Sequence, residues 1–251
     1  MRKKRQSSVR RVFYVVAFLL LVGALVYVIR PPFVVSVIHR LQGKKTVADR
    51  LEQYGDAARR RLAVPFEVAG LQYPPEKLIL VGLKKEKQLQ VYAAGTDGSW
   101  RFVKTYPVIR ASGALGPKLR EGDGQVPEGI YKVTYLNPNS SYHLSLRLDY
   151  PNDFDRKMAA LDGRSSLGQD IMIHGSDRSV GCLAMGDRAS EDLFVLAADT
   201  GVENVEVFLS PVDFRVQKWD HSGLDLPEWT DALYKDVSLG LNKLPLPPKE
   251  S

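Results

Sequence analysis

One sulfur and one imidazole carry the chemistry that this sequence offers. Cys182 is the single cysteine of 251 residues, and His174 lies eight positions before it. Between them runs Gly175-Ser176-Asp177-Arg178-Ser179-Val180-Gly181, a polar, glycine-bearing segment ill suited to burying an inert side chain. A free thiol is only about a tenth ionised at pH 7.5, and a neighbouring imidazolium lowers its pKa and keeps a thiolate ready to attack a carbonyl. Gly181, beside the nucleophile, lets the backbone turn and aim N–H groups at a developing oxyanion. Each residue alone has a plainer reading: a lone cysteine as a small buried hydrophobe, a strand-end histidine as a satisfied hydrogen-bonding group. Together, in this loop, they point to acyl transfer by a Cys–His pair. The other histidines, His39, His143 and His221, form no zinc-ligand spacing, so no metal and no cofactor is expected.

Positioning such a pair is the task of short strands. Lys77–Gly82, Leu89–Ala94 and Trp100–Tyr106 read as strands, the last two joined by a hairpin through Asp97-Gly98. Ile130–Leu136 follows the turn Pro127-Glu128-Gly129, and Asn137-Pro138-Asn139 is expected to turn the chain into the next strand. In that strand Tyr142, Leu144, Leu146 and Leu148 alternate with His143, Ser145 and Arg147, the pattern of a half-buried strand with a polar face. Ile171–Ile173 reads as a buried strand delivering His174 at its exit. Ser190–Ala198 reads as a helix with Ser190 near its N-cap and Gly201 just past its end, and Val205–Leu209 as a last strand. Upstream, Val47, Leu51, Tyr54, Ala58 and Leu62 recur at helical spacing behind Thr46 and Asp49, giving an amphipathic helix over Thr46–Leu62 packed on the body. Many strands and few helices predict a mainly β domain.

The net charge of +6 is local. Arg2, Lys3, Lys4, Arg5, Arg10 and Arg11 account for it, leaving 29 basic against 29 acidic residues from position 12 onward. A neutral body lacks the footprint of phosphate-backbone binding, so nucleic acid is excluded as a partner. Val12 to Ile29 is an uncharged apolar run of 18 residues, about 27 Å as a helix and just long enough to span a bilayer. Arg30-Pro31-Pro32 follows at once where a signal peptide would place a small-residue cleavage site, so the run reads as an uncleaved anchor in a lipid bilayer. The basic residues before it place the N-terminus in the cytoplasm and the body on the far side of the membrane. The expected organisation is a basic tail over 1–11, a transmembrane anchor over 12–30, a helical linker over 31–75, a catalytic domain over 76–212 and a C-terminal extension over 213–251.

The string Ile171-Met172-Ile173-His174-Gly175, followed by Ser179-Val180-Gly181-Cys182-Leu183-Ala184-Met185, resembles the signature of the L,D-transpeptidase (YkuD-type) catalytic domain, a histidine ahead of an S-x-G-C motif. Gly116-Pro117-Lys118, Gly122-Asp123-Gly124, Pro127-Glu128-Gly129-Ile130-Tyr131, Asn137-Pro138, Ser145-Leu146 and Tyr150-Pro151-Asn152 extend the likeness over roughly residues 76–212. Within the family the chain is most similar to the YafK-like branch. The resemblance implies a β-sandwich-like catalytic domain with a few helices, behind one N-terminal transmembrane helix. It also implies a cysteine acyltransferase acting on peptidoglycan stem peptides of the diaminopimelate type, at the inner membrane of a bacterium with the catalytic domain in the periplasm. Cys182 would attack the carbonyl on the L-centre of diaminopimelate and release the D-residue behind it. His174 would move the protons, and backbone N–H groups near Gly181 and Cys182 would hold the oxyanion. Gly175 and Ser179 belong to the motif's substrate side, and Tyr142, His143, Lys118 and Arg178 are further candidates for substrate contact.

The sequence departs from the widespread signature at one place. An arginine usually stands two residues after the cysteine, where this chain has Ala184, and the YafK-like branch shares that lack. Arg178 and Arg188 flank the loop and are the sequence's candidates for the missing charge. The acyl-enzyme can pass to an amine, forming a link, or to water, as in an L,D-amidase or carboxypeptidase. A third reading, a non-catalytic domain that tethers peptidoglycan, requires the Cys–His pair to be idle.

Overall fold

The computed structural model describes residues 13–18, 21–23 and 43–248. Residues 13–18 and 21–23 are helical; the rest of the expected anchor over 12–30 lies outside the described residues, as do the basic tail over 1–11 and residues 31–42. Among the described residues no helix is long and apolar enough to cross a membrane.

Described residues 45–248 belong to one compact unit. Its elements are α1 (Val47–Val68), β1 (Leu78–Leu83), β2 (Gln88–Ala94), β3 (Trp100–Pro107), β4 (Arg110–Ala111), β5 (Gly129–Ser140), β6 (His143–Leu148), α2 (Asp153–Leu161), β7 (Met172–His174), β8 (Leu183–Ala184), α3 (Asp187–Thr200), β9 (Val205–Ser210) and α4 (Thr230–Leu241). The strands join in the order β3-β2-β1-β9-β5-β6-β7-β8-β4. The sheet is mixed, with β1–β9 and β7–β8 parallel and the remaining pairs antiparallel. It folds over on itself: a Cβ on Gly82 of β1 would stand 3.2 Å from the Leu183 side chain of β8, five strands away in that order. The domain is therefore mainly β and sandwich-like, with a core from both halves.

β1 shows why. Leu78 and Leu80 join the large core with Leu144, Leu146, Ile173, Leu183, Leu193 and Phe194. Ile79, Val81 and Leu83 point the other way, into a second cluster with Tyr92, Phe208, Leu233, Val237 and Leu241. A strand buried on both faces reads as a continuous apolar run. The second cluster is roofed by α4, so the expected C-terminal extension is an integral layer from Trp229 onward.

Several local expectations are corrected. α1 runs to Val68, past Pro65, because Phe66 is fully buried and packs edge-on against Tyr73 at 5.1 Å. Its Thr46–Asp49 capping box is present as expected. Asn137-Pro138-Asn139 does not turn the chain: β5 continues through it with a register shift, and the reversal comes at Ser141-Tyr142, where His143 takes φ +73°. The polar side of β6 is not simply solvated, since Ser145 is fully buried. α3 begins at Asp187 behind Gly186, and Ser190 sits inside the first turn with its hydroxyl donating to Asp187 O at 2.8 Å. α2 was not foreseen, although Asn152 and Asp155 form its capping box.

Candidate active site

Register assembles the site. In the parallel pair β7–β8, Ile173 faces Leu183 and His174 faces Ala184. Facing residues share a side of the sheet and successive ones alternate. Ile173 and Leu183 lie in the large core, so His174 and Ala184 project to the opposite side. Cys182 directly precedes β8, and alternation continued one residue back from Leu183 would set it on that same side, diagonal to His174. With strands ~4.8 Å apart and a rise of ~3.3 Å per residue, their Cα atoms lie about 8 Å apart. Ser145 of β6 faces His174, and Arg147 faces Met172, so these also belong to the site's side.

His174 is buried, and its Nδ1 lies 2.6 Å from Gly175 O. A carbonyl leaves Nδ1 only the donor's role, so the neutral ring carries its lone pair on Nε2. Burial lowers its pKa from the ordinary histidine value, against the smaller opposing effect of that hydrogen bond. Tyr142 stacks on the ring at 4.9 Å with 26° between planes.

Cys182 is half-buried, and its Sγ–H points to Asp170 O at 3.7 Å. Burial pushes the thiol up, the Met172 amide draws it down, the Asp170 charge raises it and the more distant Lys118 lowers it. Burial thus disfavours the charged form of each group, against the thiolate–imidazolium pair that the sequence suggests.

The loop between them is clamped. Gly181, at φ +89°, a conformation that suits glycine, donates its N–H to Ser112 Oγ at 2.6 Å. Ser112 Oγ and Ser179 Oγ lie 3.1 Å apart, the Ser112 amide donates to Ser179 Oγ at 3.2 Å, and Ser179 donates to Cys182 O at 2.6 Å. The Gly181 N–H, expected to face an oxyanion, is thus already engaged, whereas among the described residues no acceptor takes the Cys182 N–H. Sequence reading missed Ser112, which directly follows the two-residue strand β4 paired with β8 and has no local signal of its own. Gly175 is sterically required, since a Cβ there would lie 2.8 Å from both Asp187 Oδ1 and Ser190 Oγ and 2.9 Å from His143 Cβ.

The other candidates divide. Tyr142 joins His174. His143 instead bonds Glu191 Oε1 through Nε2 at 3.0 Å and meets the Tyr54 ring edge-on at 5.1 Å. Lys118 is buried and committed to Asp123 and to Arg120 O. Arg178 is exposed on the loop. Arg147 pairs with Asp170 at 3.1 Å, both half exposed. A hollow of about 300 Å³ lies beside Ile109, Met185 and the start of α3, and neither Cys182 nor His174 lines it.

Comparison with known proteins follows the same signature. The family model for the L,D-transpeptidase catalytic domain, YkuD, matches residues 76–207. YafK of Escherichia coli (strain K12), a candidate L,D-transpeptidase by its name, is 32% identical over 133 residues, 51% of this chain and 51% of its own; the protein of that name in Escherichia coli O157:H7 matches equally. The chain spans about half the length of these curated relatives. Among solved structures, the helical cell shape determining protein Pgp2 of Campylobacter jejuni is 25% identical, with 56% of this chain and 50% of that chain covered at a TM-score of 0.44. Bd1075 of Bdellovibrio bacteriovorus is 17% identical, with 68% and 57% covered at a TM-score of 0.41.

Proposed function

Since the chain belongs to the L,D-transpeptidase (YkuD) catalytic domain family, we propose that it is a cysteine acyltransferase acting on peptidoglycan stem peptides, with Cys182 as nucleophile and His174 as general base. The observation that supports the reading is the β7–β8 register, in which His174 faces Ala184 and Cys182 directly precedes β8, together with the Nδ1 contact to Gly175 O that leaves the imidazole lone pair on Nε2.

Starting from neutral partners, proton transfer accompanies attack. His174 Nε2 takes the Sγ–H proton as sulfur bonds to the carbonyl carbon on the L-centre of diaminopimelate. The carbonyl oxygen gains the negative charge, and the Cys182 N–H is the donor to hold it. As the tetrahedral centre collapses, the C–N bond breaks and the imidazolium returns its proton to the departing amine of the D-residue, leaving a thioester on Cys182. An acceptor amine then attacks, its proton passing to Nε2, and the sulfur leaves and is reprotonated. Tyr142, stacked on His174, fixes the ring plane through both steps. Ser112 and Ser179 hold the loop so that the sulfur and the Cys182 amide keep their mutual orientation.

The place of action is part of the proposal. The uncharged run from Val12 to Ile29 behind six basic residues supports a membrane anchor with the catalytic unit on the periplasmic side of a bacterial inner membrane. Incubating the protein with purified tetrapeptide muropeptides and reading products by mass tests the chemistry. Cross-linked dimers are expected from the wild type and none from Cys182→Ala. Shortened stems without dimers would reassign the same site to hydrolysis, and no product from either protein would leave the reading without support.

A further inference from the structure

The face of the sheet that carries His174 ends at the edge strand β4. β4 pairs antiparallel with β8, with Arg110 opposite Ala184 and Ala111 opposite Leu183. Ala111, like Leu183, packs on the large core, so Arg110 projects with Ala184, His174 and Cys182 to the other side. One residue further on, Ser112 reaches the clamped loop beside Cys182. Arg110 is exposed, and among the described residues no carboxylate or carbonyl engages its guanidinium.

Its neighbours are differently placed. Lys118 is held by Asp123 and Arg120 O, and Arg147 by Asp170. Arg178 stands on the loop, where no strand register fixes its direction. Arg110 therefore combines a direction set by register, toward the side of Ala184 and His174, with a free fork of donors. Along adjacent strands it lies diagonal to Cys182, about 8 Å between Cα atoms. An extended arginine bridges most of that interval and reaches a group one residue beyond the attacked carbonyl. A planar fork of this kind matches a carboxylate in two parallel hydrogen bonds.

We propose that Arg110 is the substrate-anchoring residue of this face, binding the carboxylate of the residue on the leaving side of the scissile bond. In this chain the cation sits on the strand next to β8, directly across from Ala184. The proposal rests on the acyl-transfer reading of Cys182 and adds to it a specificity for donors that end in a free acid. Anchoring the leaving residue holds the scissile carbonyl over the sulfur, so the contact contributes to kcat/KM on acid donors and contributes nothing where the carboxylate is absent.

The test uses the full chain and two donors, a stem tetrapeptide ending in a free D-residue and the same peptide as its C-terminal carboxamide. The wild type is expected to favour the acid by about tenfold to a hundredfold in kcat/KM. Arg110→Ala is expected to lose that preference by slowing on the acid while changing less than about twofold on the carboxamide. Arg110→Lys, which keeps the charge without the fork, restores part of the acid rate. Equal losses on both donors, or an acid preference that survives in Arg110→Ala, overturns the proposal, as does loss of the preference in Arg178→Ala with its retention in Arg110→Ala. Turnover by Cys182→Ala would instead overturn the parent reading, and the two failures are told apart by that variant.

Discussion

At the residue scale the proposed reaction starts from a thiol and an imidazole whose charged forms burial disfavours. Cys182 Sγ–H faces a carbonyl, and burial raises its pKa while lowering that of His174, so on the acyl-transfer reading attack by sulfur and loss of its proton are one event. The sign for alkylation follows. Raising the thiol pKa lowers the thiolate fraction at any given pH, so iodoacetamide should modify Cys182 slowly at pH 7, with the rate rising through a midpoint above the ordinary ~8.5 of a free thiol. Intact mass against time across a pH series reads this directly, and a midpoint below 7 would show a thiolate already formed. For turnover the acid limb should fall below the ordinary ~6.5 of histidine, because burial lowers the point at which Nε2 is protonated. The Cys–His pair could be named as a candidate from the sequence by its residue types and flanking glycines. The Ser112–Ser179 clamp and the protonation states could not, since each depends on what the fold brings alongside: a serine 67 positions away in one case, desolvation in the other.

At the element scale, strands with strong apolar runs were read correctly, and those held only by their partners were not. β1, β2, β3, β6 and β9 lie within a residue or two of their expected bounds. β4 and β8 are two residues each and exist because β7 and β8 supply the hydrogen bonds; no local pattern announces them. α1 was seen as amphipathic, but its attachment is ionic as well as apolar. Arg59 makes a two-pronged pair with Asp199 at 2.8 Å, and Arg61 bonds Asp192 at 2.6 Å and Glu191 at 3.1 Å. Glu191 in turn holds His143, whose Cβ would crowd any side chain at Gly175, so α1 is linked to the site through two side chains. Asp192 is fully buried and also accepts from Tyr106 OH at 3.0 Å. Arg61→Ala leaves that carboxylate without its counter-ion, a loss of about 3 kcal/mol and a drop in Tm of about 6–12 °C. Differential scanning calorimetry checks it; a Tm within 1–2 °C of wild type would mean that α1 holds by its apolar face alone.

At the scale of the whole molecule, the folded-over sheet divides its surfaces by task. One side of β1 and β9 is covered by α4, the interior holds the large core, and the outer side of β6-β7-β8-β4 is the face with His174, Cys182 and Arg110. The C-terminal layer is tied in by a buried polar chain. Lys84 Nζ meets Glu128 Oε1 at 2.9 Å, and Tyr234 OH donates to Glu128 Oε2 at 2.6 Å. Burial lowers the pKa of Lys84 while Glu128 opposes that, the signature of a charge kept only by its partner. Tyr234→Phe strands one carboxylate oxygen, at about 1–3 kcal/mol, and urea titration should show the midpoint falling without a change in slope. An unchanged midpoint would mean that α4 contributes through apolar contact only. The sequence marks this region only as an extension over 213–251, because the layer is defined by what Leu233, Val237 and Leu241 pack against rather than by a local pattern.

The most direct measurement is the mass of the protein itself during turnover. Mixed with a stem tetrapeptide and quenched in acid, the wild type should gain the mass of the stem without its terminal D-residue, and peptide mapping should place it on Cys182. His174→Ala should form the adduct far more slowly, by about 10²-fold or more, and Cys182→Ala should form none. An adduct that persists without the sulfur, or product formed with no adduct at any time, would contradict acyl transfer through Cys182.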